Sequence, residues 1–123
     1  MAILVLKTNL DHYTLLAYSV GVEFIETAVF SRIIYDLLDD DRYSDLQSDL
    51  IDNPNAGDVI PGSGGIRKIR WSAKGRGKRG GIRVIYYLMA ESKIYILYVY
   101  NKRENGDLTK DQIKMLRDIV SGE

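Results

Sequence analysis

The stretch GSGGIRKIRWSAKGRGKRGGIRVIYYLM, residues 62–89, decides the fold because it contains two strand-like runs joined by a glycine-rich basic loop. Residues 59–90 contain no acidic residue, yet eight of the chain's 17 lysines and arginines lie there. The chain as a whole is neutral, with 17 acidic residues as well. A cationic sheet surface on a neutral protein predicts one site for a polyanion, most simply the phosphates of RNA or DNA.

The strands around this loop follow from their apolar patterns. Strands are predicted over residues 66–72 and 82–90, and KIYILYVYN predicts a third over 93–101. Only Glu91 and Ser92 separate the last two, which favours an antiparallel hairpin. The near-continuous apolar character of these two strands predicts that both of their faces are covered.

Helices are predicted before and after this sheet. VEFIE at residues 22–26 alternates as an edge strand does, and Thr27 is a predicted N-cap for the helix that follows. The aspartates at 39–41 offer caps for a second helix, which ends at the Asn-Pro pair 53–54. A threonine and a glutamine at 109 and 112 have capping-box spacing before a C-terminal amphipathic helix. The order β–α–α–β–β–β–α predicts an α+β domain with an antiparallel sheet of about four strands.

The composition excludes several kinds of site. The chain has no cysteine, which removes disulfides and thiolate chemistry, and its one histidine, His12, lies in the N-terminal stretch. We therefore expect no metal centre and no cofactor. The apolar runs at 3–6 and 15–18 are too short to span a membrane, so we expect a cytoplasmic protein without membrane contact.

A second charge anomaly is acidic. Residues 36–58 contain eight aspartates and a single basic residue, Arg42. Acidic helices followed by a basic sheet predict a polar molecule that turns its basic face toward a nucleic acid.

Strand alternation sorts the basic residues into one candidate catalytic cluster. Lys68 and Arg70 share one side of their strand, and Arg83 emerges from the neighbouring strand. Lys102 and Arg103 follow the last strand directly. Such a cluster would suit a phosphate that gains negative charge in a transition state. Each cation taken alone is about as often merely solvated or paired with an acid, but eight of them without an intervening acid favour a site.

The basic loop does not match a known phosphate motif. It lacks the spacing of a P-loop, and GSGGIR has an arginine where a dinucleotide fingerprint needs its last glycine. The remaining cations of the segment are candidate RNA-binding residues: Arg67, Lys74, Arg76, Lys78 and Arg79. Trp71 and the strand tyrosines are more often core than base-stacking groups.

Three blocks of this sequence carry a family resemblance. They are VEFIETAVFSR at 22–32, LQSDLIDNPNAGDVIPGSGGIRKIRWSAKGRGKRGGIRVIYY at 46–87, and YNKRENGDLT at 100–109. Through them the chain resembles the HigB branch of the RelE-type toxins of bacterial toxin–antitoxin modules. The resemblance implies a RelE-like toxin domain over residues 22–123, with helices on one side of an antiparallel sheet. Residues 1–21 would be an N-terminal extension of uncertain structure.

The resemblance also implies a function. It implies a toxin that enters the ribosomal A site, cleaves translated mRNA without a metal, and is inhibited by a cognate antitoxin. Operator DNA would be bound only through that antitoxin. Carried over residue by residue, the catalytic cations are Lys68, Arg70, Arg83, Lys102 and Arg103. RelE toxins proper have a functional tyrosine beyond the last strand, but none follows Tyr100 here.

The mechanism expected is attack of a ribose 2′-oxygen on its own 3′-phosphate. Lys68 is the candidate general base, because neighbouring cations favour a neutral amine. Arg70 and Arg83 would clamp the phosphate, and Lys102 or Arg103 would face the leaving oxygen. Two alternatives remain: a binding module that cleaves nothing, and a degenerate toxin retained as an interaction partner in operon autoregulation.

Overall fold

The computed structural model of the protein describes residues 4–6, 21–72, 81–90 and 92–122. These residues form a six-stranded sheet and four helices. The strands are β1 (Leu4–Leu6), β2 (Glu23–Thr27), β3 (Asp58–Val59), β4 (Arg67–Trp71), β5 (Ile82–Ala90) and β6 (Lys93–Asn101). The helices are α1 (Ala28–Leu37), α2 (Asp40–Asp52), α3 (Lys102–Asn105) and α4 (Lys110–Gly122). None of these helices is long and apolar enough to cross a bilayer.

The sheet has the strand order β1-β2-β6-β5-β4-β3, so the predicted α+β class is confirmed. Its pairs are antiparallel except for β2 and β6, which run parallel with Phe24 opposite Ile94. The parallel pair departs from the fully antiparallel sheet expected from the sequence. Because α1 and α2 carry the chain from β2 to the far edge of the sheet, the returning strands bring β6 beside β2 in the same direction. β2 is also not an edge strand, since β1 pairs along its outer side with Leu6 opposite Ile25.

The predicted helix caps are confirmed. The Thr27 hydroxyl accepts a hydrogen bond from the backbone N–H three residues on, at 3.1 Å, and the Asp39 carboxylate accepts one in the same way at 2.8 Å. Thr109 and Gln112 form a reciprocal capping box with distances of 2.8 and 3.1 Å. Each cap satisfies N–H groups that a helix start leaves without a partner.

Alternation along the central strands sends side chains to two faces, and both faces contain a core. We call the first the helical face, because α1 and α2 pack there against Trp71, Val84 and Tyr86. We call the second the basic face; there Ile85 packs with Leu116 of α4. The prediction that the central strands are covered on both faces is therefore confirmed. The one-sided arrangement of helices implied by the resemblance is not seen, because α4 lies opposite the other two long helices.

Two bulges in the hairpin of β5 and β6 leave its overall register unchanged. The pairing skips Met89 on β5 and Leu97 on β6, so that each strand carries one extra residue. The two shifts cancel, and Arg83 lies opposite Tyr100 as an uninterrupted two-residue hairpin would place it. The register thus puts a tyrosine beside a predicted phosphate-binding arginine.

Candidate active site

A glycine allows the end of β4 and the start of β5 to approach closely. A Cβ atom at Gly81 would lie 1.9 Å from the carbonyl oxygen of Trp71, so any side chain there would force the strands apart. Glycine at this position therefore permits the pairing in which Arg70 lies opposite Arg83.

Arg70 and Arg83 form a cross-strand pair of like charges. Directly opposite residues of an antiparallel pair project to the same side, and like charges at such positions destabilise a sheet. Arg70 is exposed, whereas Arg83 is only 7% exposed. In the described part of the chain neither arginine forms an ion pair. The Arg83 guanidinium donates one long hydrogen bond, from Nη1 to the carbonyl of Ile82 at 3.4 Å.

A buried guanidinium without a carboxylate is costly, because burial removes its hydration without replacing it. A second arginine beside it increases the cost. An anion that reaches both would remove this cost and gain charge-assisted hydrogen bonds from each. The arrangement suits the binding of an anion better than it suits a structural ion pair.

Lys68 and Lys102 bring two further cations to the same place. Lys68 is half-buried two residues before Arg70 and shares its side of β4. Lys102, the first residue of α3, is half-buried and forms an ion pair with Asp107. The pKa of Asp107 is lowered by its hydrogen bond and charge interaction with Lys102, and further by the charges of Lys68 and Arg83. Cations from β4, β5 and the end of β6 thus act on one carboxylate.

Tyr100 and Tyr98 border this cluster on β6. Tyr100 is only 3% exposed, and its hydroxyl makes no hydrogen bond to the described residues. The two rings stack, with centroids 6.0 Å apart and planes inclined by 28°. Burial raises the pKa of Tyr100, as does the charge of Asp107, whereas Arg83 opposes the rise. The hydroxyl therefore remains a hydrogen-bond donor at neutral pH.

The other predicted residues have different positions. Arg67 lies on the helical side of β4, where its guanidinium donates to the carbonyls of Gly57 at 2.6 Å and Asn55 at 3.3 Å. It holds a loop and is not brought to the cluster. Arg103 is exposed on α3 next to Lys102, without a contact that links it to the other cations. The predicted RNA-binding residues Lys74, Arg76, Lys78 and Arg79 and the histidine His12 lie outside the described residues.

A metal site and an apolar cavity are the other candidates for a functional site. Across the ranges that the structure describes, no group of three histidines, cysteines or carboxylates could hold a metal ion. A cavity of about 460 Å³ lies between α1, β6 and α4, and its lining is mainly apolar: Leu97, Leu108, Met115, Leu116 and Ile119. Tyr98 lines it too, but Arg32 is its one basic residue. The cavity is therefore chemically distinct from the cation cluster.

Comparison with known families assigns the chain. A model of the RelE toxin of the RelE/RelB toxin–antitoxin system matches residues 44–122. The chain belongs to the RelE toxin family. It is accordingly a toxin of a toxin–antitoxin system, and its partner is a cognate antitoxin. The matched part of this RelE-family toxin contains all five residues predicted as catalytic, whereas β2 and α1 lie before it.

Two members of the cluster were not predicted from the sequence, namely Tyr100 and Asp107. A signal for Tyr100 was present, because two predicted strands separated by only two residues pair as an antiparallel hairpin in which Tyr100 lies opposite Arg83, as it does in the structure. Asp107 carried no such signal. Its approach to Lys102 depends on how α3 turns the chain back after β6.

Proposed function

We propose that this RelE-family toxin is an endoribonuclease of the HigB branch that cleaves translated mRNA in the ribosomal A site. The observation that carries the proposal is the buried, unpaired Arg83 opposite Arg70, with Lys68 and Lys102 close by. Cations that outnumber the carboxylates near them suit a substrate that is itself an anion and becomes more negative as it reacts.

The reaction proposed is attack of the ribose 2′-oxygen on the adjacent phosphorus without a metal. The bond from O2′ to phosphorus forms and the bond from phosphorus to O5′ breaks, which leaves a 2′,3′-cyclic phosphate and a 5′-hydroxyl. The 2′-hydroxyl loses a proton and the leaving O5′ gains one. Arg83 and Arg70 are assigned to the non-bridging oxygens, where negative charge develops. Lys102 or Arg103 is assigned to the leaving oxygen.

The role of Lys68 is revised by its surroundings. Asp58 of β3 lies opposite Lys68 in the sheet. The charge of Lys68 also acts on Asp107. This lysine thus lies close to two carboxylates, in an electrostatic rather than a proton-transfer setting. We therefore assign Lys68 to the phosphate rather than to the 2′-hydroxyl, and leave the proton of that hydroxyl to a group of the ribosome or the mRNA.

The partners follow from the same surfaces. The aspartates of α2 lie on a helix that packs on the helical face, on the other side of the sheet from the cations. A molecule with this polarity would approach ribosomal RNA with its basic face first. We propose that the antitoxin neutralises that face, that operator DNA is reached only through the antitoxin, and that the toxin acts in the cytoplasm.

Primer extension on mRNA translated in a reconstituted system tests the function. We expect cleavage by the wild type, and rates about 10²–10³-fold lower for Arg83→Ala and Lys68→Ala. Lys93→Ala is the matched control, because Lys93 is an exposed lysine at the other end of β6, roughly 26 Å along the strand from the cluster. Undiminished cleavage by both cluster variants would contradict the assignment of the site. Growth arrest on induction, relieved by co-expression of the antitoxin, would separate an enzyme from a tolerated RNA-binding protein.

A further inference from the structure

The Tyr100 hydroxyl is a buried polar group without a hydrogen-bond partner among the described residues, at the border of the cation cluster. Buried hydroxyls in native proteins nearly always find a hydrogen-bond partner, because a buried hydroxyl without one has lost its hydration and gained nothing in return. Among the described residues one other side chain has such an atom, the Oε1 of Gln47, which lies on α2 at the helical face. Among the described residues, the Tyr100 hydroxyl is therefore the one buried side-chain atom without any hydrogen bond that borders the proposed site.

The groups around this hydroxyl are charged or polar. The Asp107 carboxylate raises the pKa of Tyr100 and the Arg83 guanidinium lowers it. The ring of Tyr98 stacks against the ring of Tyr100. The backbone of Leu108 is also near, but it does not meet the geometry of a hydrogen bond to the hydroxyl. A buried hydroxyl without a hydrogen bond thus lies on the residue directly opposite a buried guanidinium that has no ion pair among the described residues.

We propose that Tyr100 is a catalytic residue whose hydroxyl donates a hydrogen bond to a non-bridging oxygen of the phosphate held by Arg83. The proposal rests on the function proposed above and names a further group for its site. No proton is transferred by Tyr100; the O–H strengthens its hydrogen bond as charge accumulates on the phosphate oxygen. The register supports this geometry, since opposite residues on β5 and β6 present their side chains together.

Access to the hydroxyl requires one small change. Asp107 lies near it and forms a solvent-accessible ion pair with Lys102, in which 63% of the Asp107 side chain and 36% of the Lys102 side chain are exposed. Exposed ion pairs contribute little to stability, so an incoming phosphate can replace the carboxylate on Lys102 at little cost. We infer that Asp107 holds the place of the phosphate in the free toxin, and that its displacement exposes Tyr100.

The test compares Tyr100→Phe with Tyr98→Phe in the full chain. Both substitutions remove one hydroxyl from stacked neighbouring rings, but only the Tyr100 hydroxyl is buried without a partner and lies on the residue opposite Arg83. We expect Tyr100→Phe to melt at or above the wild-type temperature, because it removes an unsatisfied buried group. We expect its cleavage of ribosome-bound mRNA to be about 10²-fold slower, as for a lost oxyanion donor. Tyr98→Phe should cleave at close to the wild-type rate.

A second measurement does not depend on cleavage. Inorganic phosphate should raise the melting temperature of the wild type and of Tyr98→Phe, and should raise that of Tyr100→Phe less at the same concentration. A wild type that cleaves no mRNA would refute the proposed function, while this comparison would still decide the role of Tyr100.

Three results would overturn the inference. The first is a Tyr100→Phe protein that cleaves at the wild-type rate. The second is a phosphate response equal to that of the wild type. The third is a melting temperature well below the wild type, which would mean that the hydroxyl is satisfied in the folded protein and is structural.

Discussion

The two faces of the central sheet use the same strands for different purposes. On the helical face, α1 and α2 seal a core in which the buried polar side chains of β2 and β5 are hydrogen-bonded. Glu26 accepts from Ser31 and Tyr43, and Tyr86 donates to Pro54 and accepts from Gly57. On the basic face, α4 covers only part of the surface; Arg83 is buried without an ion pair among the described residues, and the Tyr100 hydroxyl is buried without a hydrogen bond.

This difference shows how one sheet separates stability from function. Alternating side chains give each strand two independent surfaces, so the helical face can be packed for stability while the basic face keeps its polar groups unsatisfied. Unsatisfied groups cost stability until a ligand pairs with them, and a site that is ready for its ligand has this property. Substitutions on the helical face should therefore lower stability, whereas substitutions of the unsatisfied groups on the basic face should lower the rate of cleavage without lowering stability.

The largest expected contrast is between Phe30 and Arg83. Phe30→Ala empties a fully buried position on α1 and should lower the free energy of unfolding by about 3–5 kcal/mol. Arg83→Met replaces a buried unpaired charge by an apolar chain of similar length, and should leave stability equal or higher while cleavage falls about 10²–10³-fold. Urea denaturation together with primer extension measures both. A large loss of stability in Arg83→Met would show that the arginine is structural.

The same substitution at Tyr86 and at Tyr100 gives an intermediate contrast. Tyr86→Phe breaks hydrogen bonds of 2.8 Å to both Gly57 and Pro54, and should cost about 1–3 kcal/mol, whereas Tyr100→Phe breaks none. Equal losses in urea denaturation at pH 7 would contradict this difference between the faces.

Stability at alkaline pH depends on one tyrosine from each face, Tyr86 and Tyr100. Burial raises the pKa of both tyrosines above the ordinary 10.0. The folded protein therefore holds these protons more tightly than the unfolded chain, and this contribution is present below pH 10.0 and is lost as the pH rises beyond it. Each Phe variant should lose stability less steeply than the wild type above that pH. A slope unchanged in both variants would show that other groups govern alkaline unfolding.

The smallest expected effect is at Asp107. Asp107→Asn removes the carboxylate that competes for Lys102, so binding of inorganic phosphate at neutral pH should tighten, by about fivefold at most. Asp111→Asn, which removes an exposed charge from the first turn of α4, is the control. Added salt should narrow the gap between Asp107→Asn and the wild type, because exposed charges are screened. Weaker phosphate binding by Asp107→Asn would show that the carboxylate supports the site instead of occupying it.

Much of the local structure could be predicted from the sequence. The limits of β5 and β6, the caps at Thr27 and Asp39, and the capping box at Thr109 follow from propensities and hydrogen bonds that span a few residues. The common side of Lys68 and Arg70 follows in the same way, since it needs only the period of a strand. The parallel pairing of β2 with β6 was not predicted, because no turn of fixed length connects the two strands.

The sequence by itself determined the longer strands and helices, their caps and the gathering of basic residues on two neighbouring strands, because these depend on contacts close along the chain; it did not predict the short elements β1, β3 and α3. Only the tertiary structure decided that Arg83 is buried without a carboxylate, that Arg67 holds a loop, and that Asp107 and Tyr100 complete the cluster. Burial and pairing depend on which distant segments meet. The strands β4 and β5 and the turn after β6 come together only when the sheet has formed.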